Sequence, residues 1–235
     1  MQTGAEDKRP MWLLAGGRTR LGRALAEALA PDHDLVLTSS RGWEGEDWVH
    51  GLGTGVTTLQ WDAAAPDLEA RMVDDLASLS LDGAVLLAGS FPAQPFGTWT
   101  RETLEATWRI NQAFPLLAAQ AAAPRMKDGA CLQFIVDAAI HRPFLKRLPY
   151  TAAKAGLAAL VPGLARALAP RLRVVGHALG TALPGEQDDV EALKAANLLG
   201  RIGTPEDLAR ALRYAAESPY LTGTILTLDG GWSIK

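Results

Sequence analysis

At 235 residues and 48% hydrophobic composition, the chain is long enough for one sizeable buried core and too short for more than two small domains. Its 23 Lys+Arg against 26 Asp+Glu give a net charge of −3 with both signs interspersed, so no broad basic field exists to hold nucleic acid or an anionic membrane. The single cysteine, Cys131, excludes an intrachain disulfide and a cysteine-built zinc site, and points to a reducing compartment, the cytoplasm.

Residues 1–10 are polar, carry both charge signs and have no apolar run behind a basic start, so they read as a flexible leader and not a secretory signal. A strand is predicted over 11–15, then a glycine-rich turn and a helix over 21–30, with Leu21, Leu25 and Leu29 on one face. Further strands are predicted over 34–38, 57–60, 83–88, 131–136, 173–177 and 224–228, each short and bounded by turn or charge signals. Helical patterns cover 67–76, 101–126, 149–168 and 204–218, while 41–55 supports only a short, weak helix. Pro162-Gly163 should kink the helix that holds it, because proline removes a backbone hydrogen bond. No stretch offers the about 18 to 20 uninterrupted apolar residues of a membrane span.

This alternation predicts one α/β domain over 11–235, a doubly wound Rossmann-type parallel sheet of about seven strands with helices on both faces. In such a sheet a ligand binds outside the carboxyl ends of the strands, so the segments after each strand are where chemistry is sought.

After the first strand comes Ala15-Gly16-Gly17-Arg18-Thr19-Arg20-Leu21-Gly22. Its glycines would let backbone amides approach a pyrophosphate, or would simply make a tight turn. The second strand ends in Thr38-Ser39-Ser40-Arg41, with no acidic residue to take a ribose 2′-hydroxyl. Hydroxyls and Arg41, together with Arg18 and Arg20 on the neighbouring turn, suit a 2′-phosphate and therefore NADP(H). Asp62, after the third strand, is placed to accept from an adenine amine or to form a turn.

Pro149-Tyr150-Thr151-Ala152-Ala153-Lys154 puts Tyr150 and Lys154 on one helical face, where an ammonium would lower the phenol pKa and make a tyrosine able to give and recover a proton. Asp137 ends a strand thirteen residues earlier, and Asn111 lies in the helix before that strand. An Asp137 carboxylate beside a phenolate would be repelled, so the pair should titrate as a unit with at least one member protonated.

In this order the features resemble the short-chain dehydrogenase/reductase family over essentially the whole chain after Pro10, and more narrowly its pteridine reductase branch. Arg20 stands where most relatives have their second glycine, and Asp137 where they have serine. Arg41 and the segment Ala88-Gly89-Ser90-Phe91 also match that branch, and the close of the chain, Leu221-Thr222-Gly223-Thr224 and Leu228-Asp229-Gly230-Gly231, matches the wider family. The resemblance implies an NADPH-dependent reductase that delivers hydride to a C=N or C=O bond of a pterin-like small molecule. It makes Tyr150 the proton donor, has Lys154 orient the cofactor ribose and tune Tyr150, and has Asn111 hold a relay water. Phe91, Asp137 and Tyr150 would meet substrate. Cofactor would meet Gly16, Arg18, Arg20, Leu21, Ser40, Arg41, Asp62, Ala88, Gly89, Tyr150, Lys154 and Gly180. A homotetramer or homodimer is implied, with no metal.

Departures keep two other readings open. The family's paired asparagines are Leu86-Leu87 here, so that loop must be braced otherwise, and its Pro-Gly after the sixth strand is Leu179-Gly180. The alternatives are a carbonyl reductase of 3-oxoacyl or other keto substrates, and an NADP(H)-binding scaffold or regulator without catalysis. The segment 181–197, with Pro184-Gly185 near one end, is expected to be a lid loop.

Overall fold

The structure, a computed structural model, describes residues 9–235. The leader expected over 1–10 otherwise lies outside the described residues, but its last two residues are held. Arg9 donates to the Ala30 carbonyl and pairs with Asp34 at 2.7 Å, and the Pro10 carbonyl accepts from the Asp34 amide.

Seven strands form one wholly parallel sheet: β1 (Met11–Ala15), β2 (Asp34–Ser39), β3 (Val56–Gln60), β4 (Leu81–Leu86), β5 (Met126–Asp137), β6 (Arg173–Leu179) and β7 (Thr224–Leu228). Their order is β3-β2-β1-β4-β5-β6-β7, so the direction of winding reverses between β1 and β4 and opens a crevice at the carboxyl ends of those strands. Successive side chains of a strand face opposite ways. Leu13 and Ala15 accordingly join one buried cluster, covered by α2 (Leu68–Asp75), α4 (Phe114–Ala122) and α5 (Leu148–Leu168), while Trp12 and Leu14 join a second, covered by α1 (Arg20–Leu29) and α7 (Pro205–Glu217).

Local signals set the helix starts. Thr19 caps α1 by accepting from the Gly22 amide, and Thr204 with Asp207 forms a capping box ahead of Pro205 in α7. Gly16 has φ +101°, a conformation that suits glycine, and a side chain on Gly22 would begin 2.3 Å from the Gly16 carbonyl oxygen. The turn and the helix behind it are thus fixed by two glycines.

Three segments depart from the sequence expectation. The helix expected over 101–126 is divided into α3 (Arg101–Trp108), a π turn (Arg109–Ala113), α4 and a 3₁₀ turn (Ala123–Arg125). Pro115 explains the division, since it has no N–H for the Asn111 carbonyl and its ring crowds that oxygen, so the preceding turn widens. β5 begins at Met126, five residues before the strand expected from 131. The 181–197 segment is not all loop, because α6 (Val190–Ala196) starts there, capped by Asp189. α5 remains helical through Pro162. The weak helix expected over 41–55 reduces to one short 3₁₀ helix, Asp47–Leu52. No helix among the described residues is long and apolar enough to cross a membrane.

Candidate active site

At the β1/β4 crevice the Gly16 amide donates to Thr38 Oγ1 at 3.1 Å, and the Leu87 and Ala88 amides donate to the Ala15 carbonyl at 3.0 and 2.8 Å. These backbone bonds brace the loop whose amide side chains the chain lacks, with Leu86 and Leu87 buried in opposite clusters. The crevice encloses a cavity of about 410 Å³ whose wall includes Gly16, Arg18, Ser40, Arg41, Asp62 and Gly89. Trp61 and Phe114 complete its apolar side, two contributions that sequence reasoning missed because each reads as ordinary core.

The three arginines do not converge. Arg41 lines the cavity with no salt-bridge partner among the described residues. Arg18 lines it too but is bonded to Glu46. Arg20 turns away and donates to the Pro184 carbonyl at 3.0 Å, tying α1 to the 181–197 segment. Leu21 packs against the second core cluster, and the Gly180 amide donates to the Leu228 carbonyl at 3.0 Å, bracing the end of β6 on β7.

Tyr150, Asp137 and Lys154 meet where β5 ends against the start of α5. The Tyr150 hydroxyl donates to Asp137 Oδ2 at 2.6 Å, and Asp137 Oδ1 accepts from the Ala139 amide at 2.7 Å. Burial, then the charge and hydrogen bond of Asp137, hold the Tyr150 proton far more tightly than in an ordinary phenol. Burial likewise raises Asp137. The pair therefore keeps a proton, and Tyr150 carries it.

Lys154 lies one helical turn from Tyr150 on α5. Its ammonium donates to the Ile135 carbonyl at 2.9 Å, and burial brings its pKa down to about 8. Arg147 is a further cation that lowers the proton affinity of Tyr150. Its guanidinium lies 3.9 Å over the Phe91 ring and donates to the Phe91 carbonyl. Phe91 in turn sets its ring edgewise to Tyr150, centroids 4.7 Å apart, and to Phe144, which packs on Trp232. One face of Phe91 is thus already covered, so a substrate ring can stack only on the other.

Asn111 braces the adjoining loop. It is fully buried, and Nδ2 donates to Ser90 Oγ and to the Thr107 carbonyl while Oδ1 accepts from the Ser90 amide. Its side-chain amide anchors the loop carrying Gly89 and Phe91. Gly89 sits against Asn111 Oδ1 and the Lys154 ammonium.

Residues 18–233 match a family described as enoyl-(acyl carrier protein) reductase. An uncharacterized short-chain type dehydrogenase/reductase from Sinorhizobium fredii is 29% identical over 235 residues, covering 94% of this chain, which spans only 43% of that protein's length. A dihydromonapterin reductase from an Enterobacter species is 28% identical over 239 residues, covering 97% of this chain and 98% of that one. Among solved structures, a blue fluorescent protein from a metagenomic library, in complex with NADPH, aligns with a TM-score of 0.87 at 27% identity, over 96% of this chain and 98% of that one.

Proposed function

The chain belongs to the short-chain dehydrogenase/reductase family of oxidoreductases, and on that premise we propose that it is an NADPH-dependent reductase of pterin or dihydropterin-like substrates with Tyr150 as proton donor. The observation that carries this reading is the 2.6 Å hydrogen bond between Tyr150 and the Asp137 carboxylate, an acid where a serine would supply one hydroxyl. Likeness to a dihydromonapterin reductase supports the same substrate class.

The residues fit a nicotinamide dinucleotide. A side chain on Gly16 would fill the crevice floor, 2.8 Å from the Ala88 backbone, so the turn is kept open there. Lys154 is buried with one of its three N–H donors used, leaving two for ribose hydroxyls beside Gly89. Arg41, Ser40 and Asp62 would hold the adenosine end, with Arg41 facing a 2′-phosphate. NADPH, when bound, supplies the hydride.

The protein's own residues supply the rest. Tyr150 gives its proton to the nitrogen or oxygen of the reduced bond, and the phenolate left behind is stabilised by Arg147 nearby and by the Lys154 ammonium on the same helical face. Asp137, its proton affinity raised by burial, is the adjacent base that can take up a proton from solvent and pass it to the phenolate. Its two oxygens have lone pairs beyond those used by Tyr150 and Ala139, enough to accept from the N–H groups of a 2-aminopyrimidine ring.

Two measurements test the assignment. Asp137→Ser is expected to lower kcat/KM for a dihydropterin about tenfold more than for a simple ketone, the worth of one hydrogen bond to a charged group. Equal losses on both would leave the keto-reductase reading. Arg41→Ala should weaken NADPH about tenfold and NADH little, read by fluorescence titration. An equal loss for both nucleotides would remove Arg41 from the 2′-phosphate.

Assembly as a homotetramer or homodimer in the cytoplasm belongs to the same reading. Half-exposed Trp108 on α3 and Leu160 on α5 are the apolar side chains that a partner subunit would cover.

A further inference from the structure

The loop after β2 carries an acidic residue that reaches back to one of the arginines of the crevice. Arg18 Nε donates to Glu46 Oε1 at 2.7 Å, Nη2 lies 2.6 Å from the same oxygen, and Nη1 donates to the Gly42 carbonyl at 2.6 Å. Every nitrogen of the guanidinium is therefore engaged within the protein. Glu46 is itself fixed, because Oε2 accepts the Trp48 indole N–H at 2.5 Å and the Arg23 guanidinium lies 5.2 Å over the Trp48 ring. These bonds keep the Glu46 carboxylate below its ordinary pKa and hence ionised at neutral pH, with the Trp48 bond the largest cause and Arg18 next. Side chains of the pair are only about a quarter exposed, at 26% and 22%.

Arg18 nevertheless stands in the wall of the cavity beside Arg41. A phosphate placed there would meet Arg41, which has no salt-bridge partner among the described residues, and Arg18, which has three of its five N–H donors already engaged and its charge offset by Glu46. It would also meet a fixed carboxylate behind the second. A ribose hydroxyl carries no charge and meets no such repulsion.

We propose that Glu46 is a cofactor-specificity residue: by occupying Arg18 it reduces the advantage of a 2′-phosphate over a 2′-hydroxyl, leaving a pocket that accepts NADH as well as NADPH. The proposal rests on the reading of this cavity as the adenosine-ribose site. It sets Arg41 as the principal phosphate ligand and Arg18 as a reserve that Glu46 withholds.

Dissociation constants for NADPH and NADH, measured on the full chain by calorimetry, test it. In the unaltered protein NADPH should bind less than about tenfold more tightly than NADH. Glu46→Gln frees the Arg18 fork and is expected to tighten NADPH about tenfold while moving NADH less than about twofold. In the Glu46→Gln background, Arg18→Met should erase the whole gain. Weaker NADPH binding by Glu46→Gln would mean that Glu46 positions Arg18 for the phosphate, and would overturn the proposal. So would an unaltered chain that binds NADPH more than about a hundredfold more tightly than NADH, a result that stands even if Glu46→Gln fails to fold. A protein that binds neither nucleotide would overturn the assignment of the cavity itself, whereas tight binding with the wrong response to these variants overturns only the role of Glu46.

Discussion

Tyr150→Phe is expected to lower turnover on any reducible substrate by about 10² to 10⁴, the contribution of a positioned general acid, or about 3 to 5 kcal/mol in the barrier. NADPH binding should stay within about twofold, because the lost hydroxyl bonds to Asp137 and not to the cavity wall. Phenylalanine keeps the ring, so the edgewise packing on Phe91 survives and the fold should hold. Asp137 Oδ2 loses its donor and retains only the Ala139 bond on the other oxygen, which makes a buried carboxylate costlier still and raises its pKa further. Single-turnover nicotinamide fluorescence separates the effects: binding unchanged, hydride transfer slowed. A variant as fast as the parent chain would remove Tyr150 from proton donation. A parent chain that binds NADPH and turns over neither pterins nor ketones would instead favour the scaffold reading.

The fold was legible because its signals are local and periodic. β1, its glycine turn and the face of α1 lie within twenty residues of one another, and strand-by-strand alternation of buried residues follows from the pleat alone. Tyr150, Lys154 and Asp137 were legible for the same reason, since a helical i, i+4 pair and a strand end fix where they fall. What was not legible depends on partners distant in sequence. The Arg18–Glu46 bond spans 28 residues, the Arg147–Phe91 bond 56 and the Arg20–Pro184 bond 164. No pattern in the chain says which arginine a phosphate would find free.

Pro115 shows a subtler limit. A proline at the first turn of a new helix and a proline that widens an existing one present the same letters, and the Ala/Leu-rich composition of 113–123 favoured one continuous helix. The consequence reaches the site, because the widened turn holds Asn111, whose amide locks Ser90 and with it the loop bearing Phe91. The side-chain bonds of Asn111 thus give it a bracing task that the motif alone does not reveal.

The second large effect concerns acid stability and comes from a residue outside the site. His177 on β6 is fully buried, with Nε2 2.8 Å from Gln133 Oε1 on the neighbouring strand, and the Gln133 amide donates to the Leu212 carbonyl of α7. Among the described residues Nδ1 has no partner, so the ring is neutral with its proton on Nε2. Burial lowers its pKa from 6.5 to about 4. An unfolded chain takes up the proton below 6.5 while the folded chain resists it until about 4, so this stability is complete above 6.5 and is lost as the pH falls toward 4. At 1.36 kcal/mol per pKa unit the loss between pH 7 and pH 4 is about 3 kcal/mol, a large part of a typical domain's margin. The depressed carboxylates act lower: Asp207, held to about 2 chiefly by its hydrogen bond to Arg201, loses its contribution only below its ordinary value of 3.8. Asp137 acts in the opposite sense, since a raised carboxyl favours the folded state as pH falls and offsets part of the loss. Urea unfolding at pH 7 and pH 4 should therefore show the parent chain losing about 3 kcal/mol more than a His177→Leu/Gln133→Leu double variant, which removes the titrating ring together with the amide that would be left unpaired. Equal losses in the two proteins would mean that His177 accepts its proton without opening the sheet.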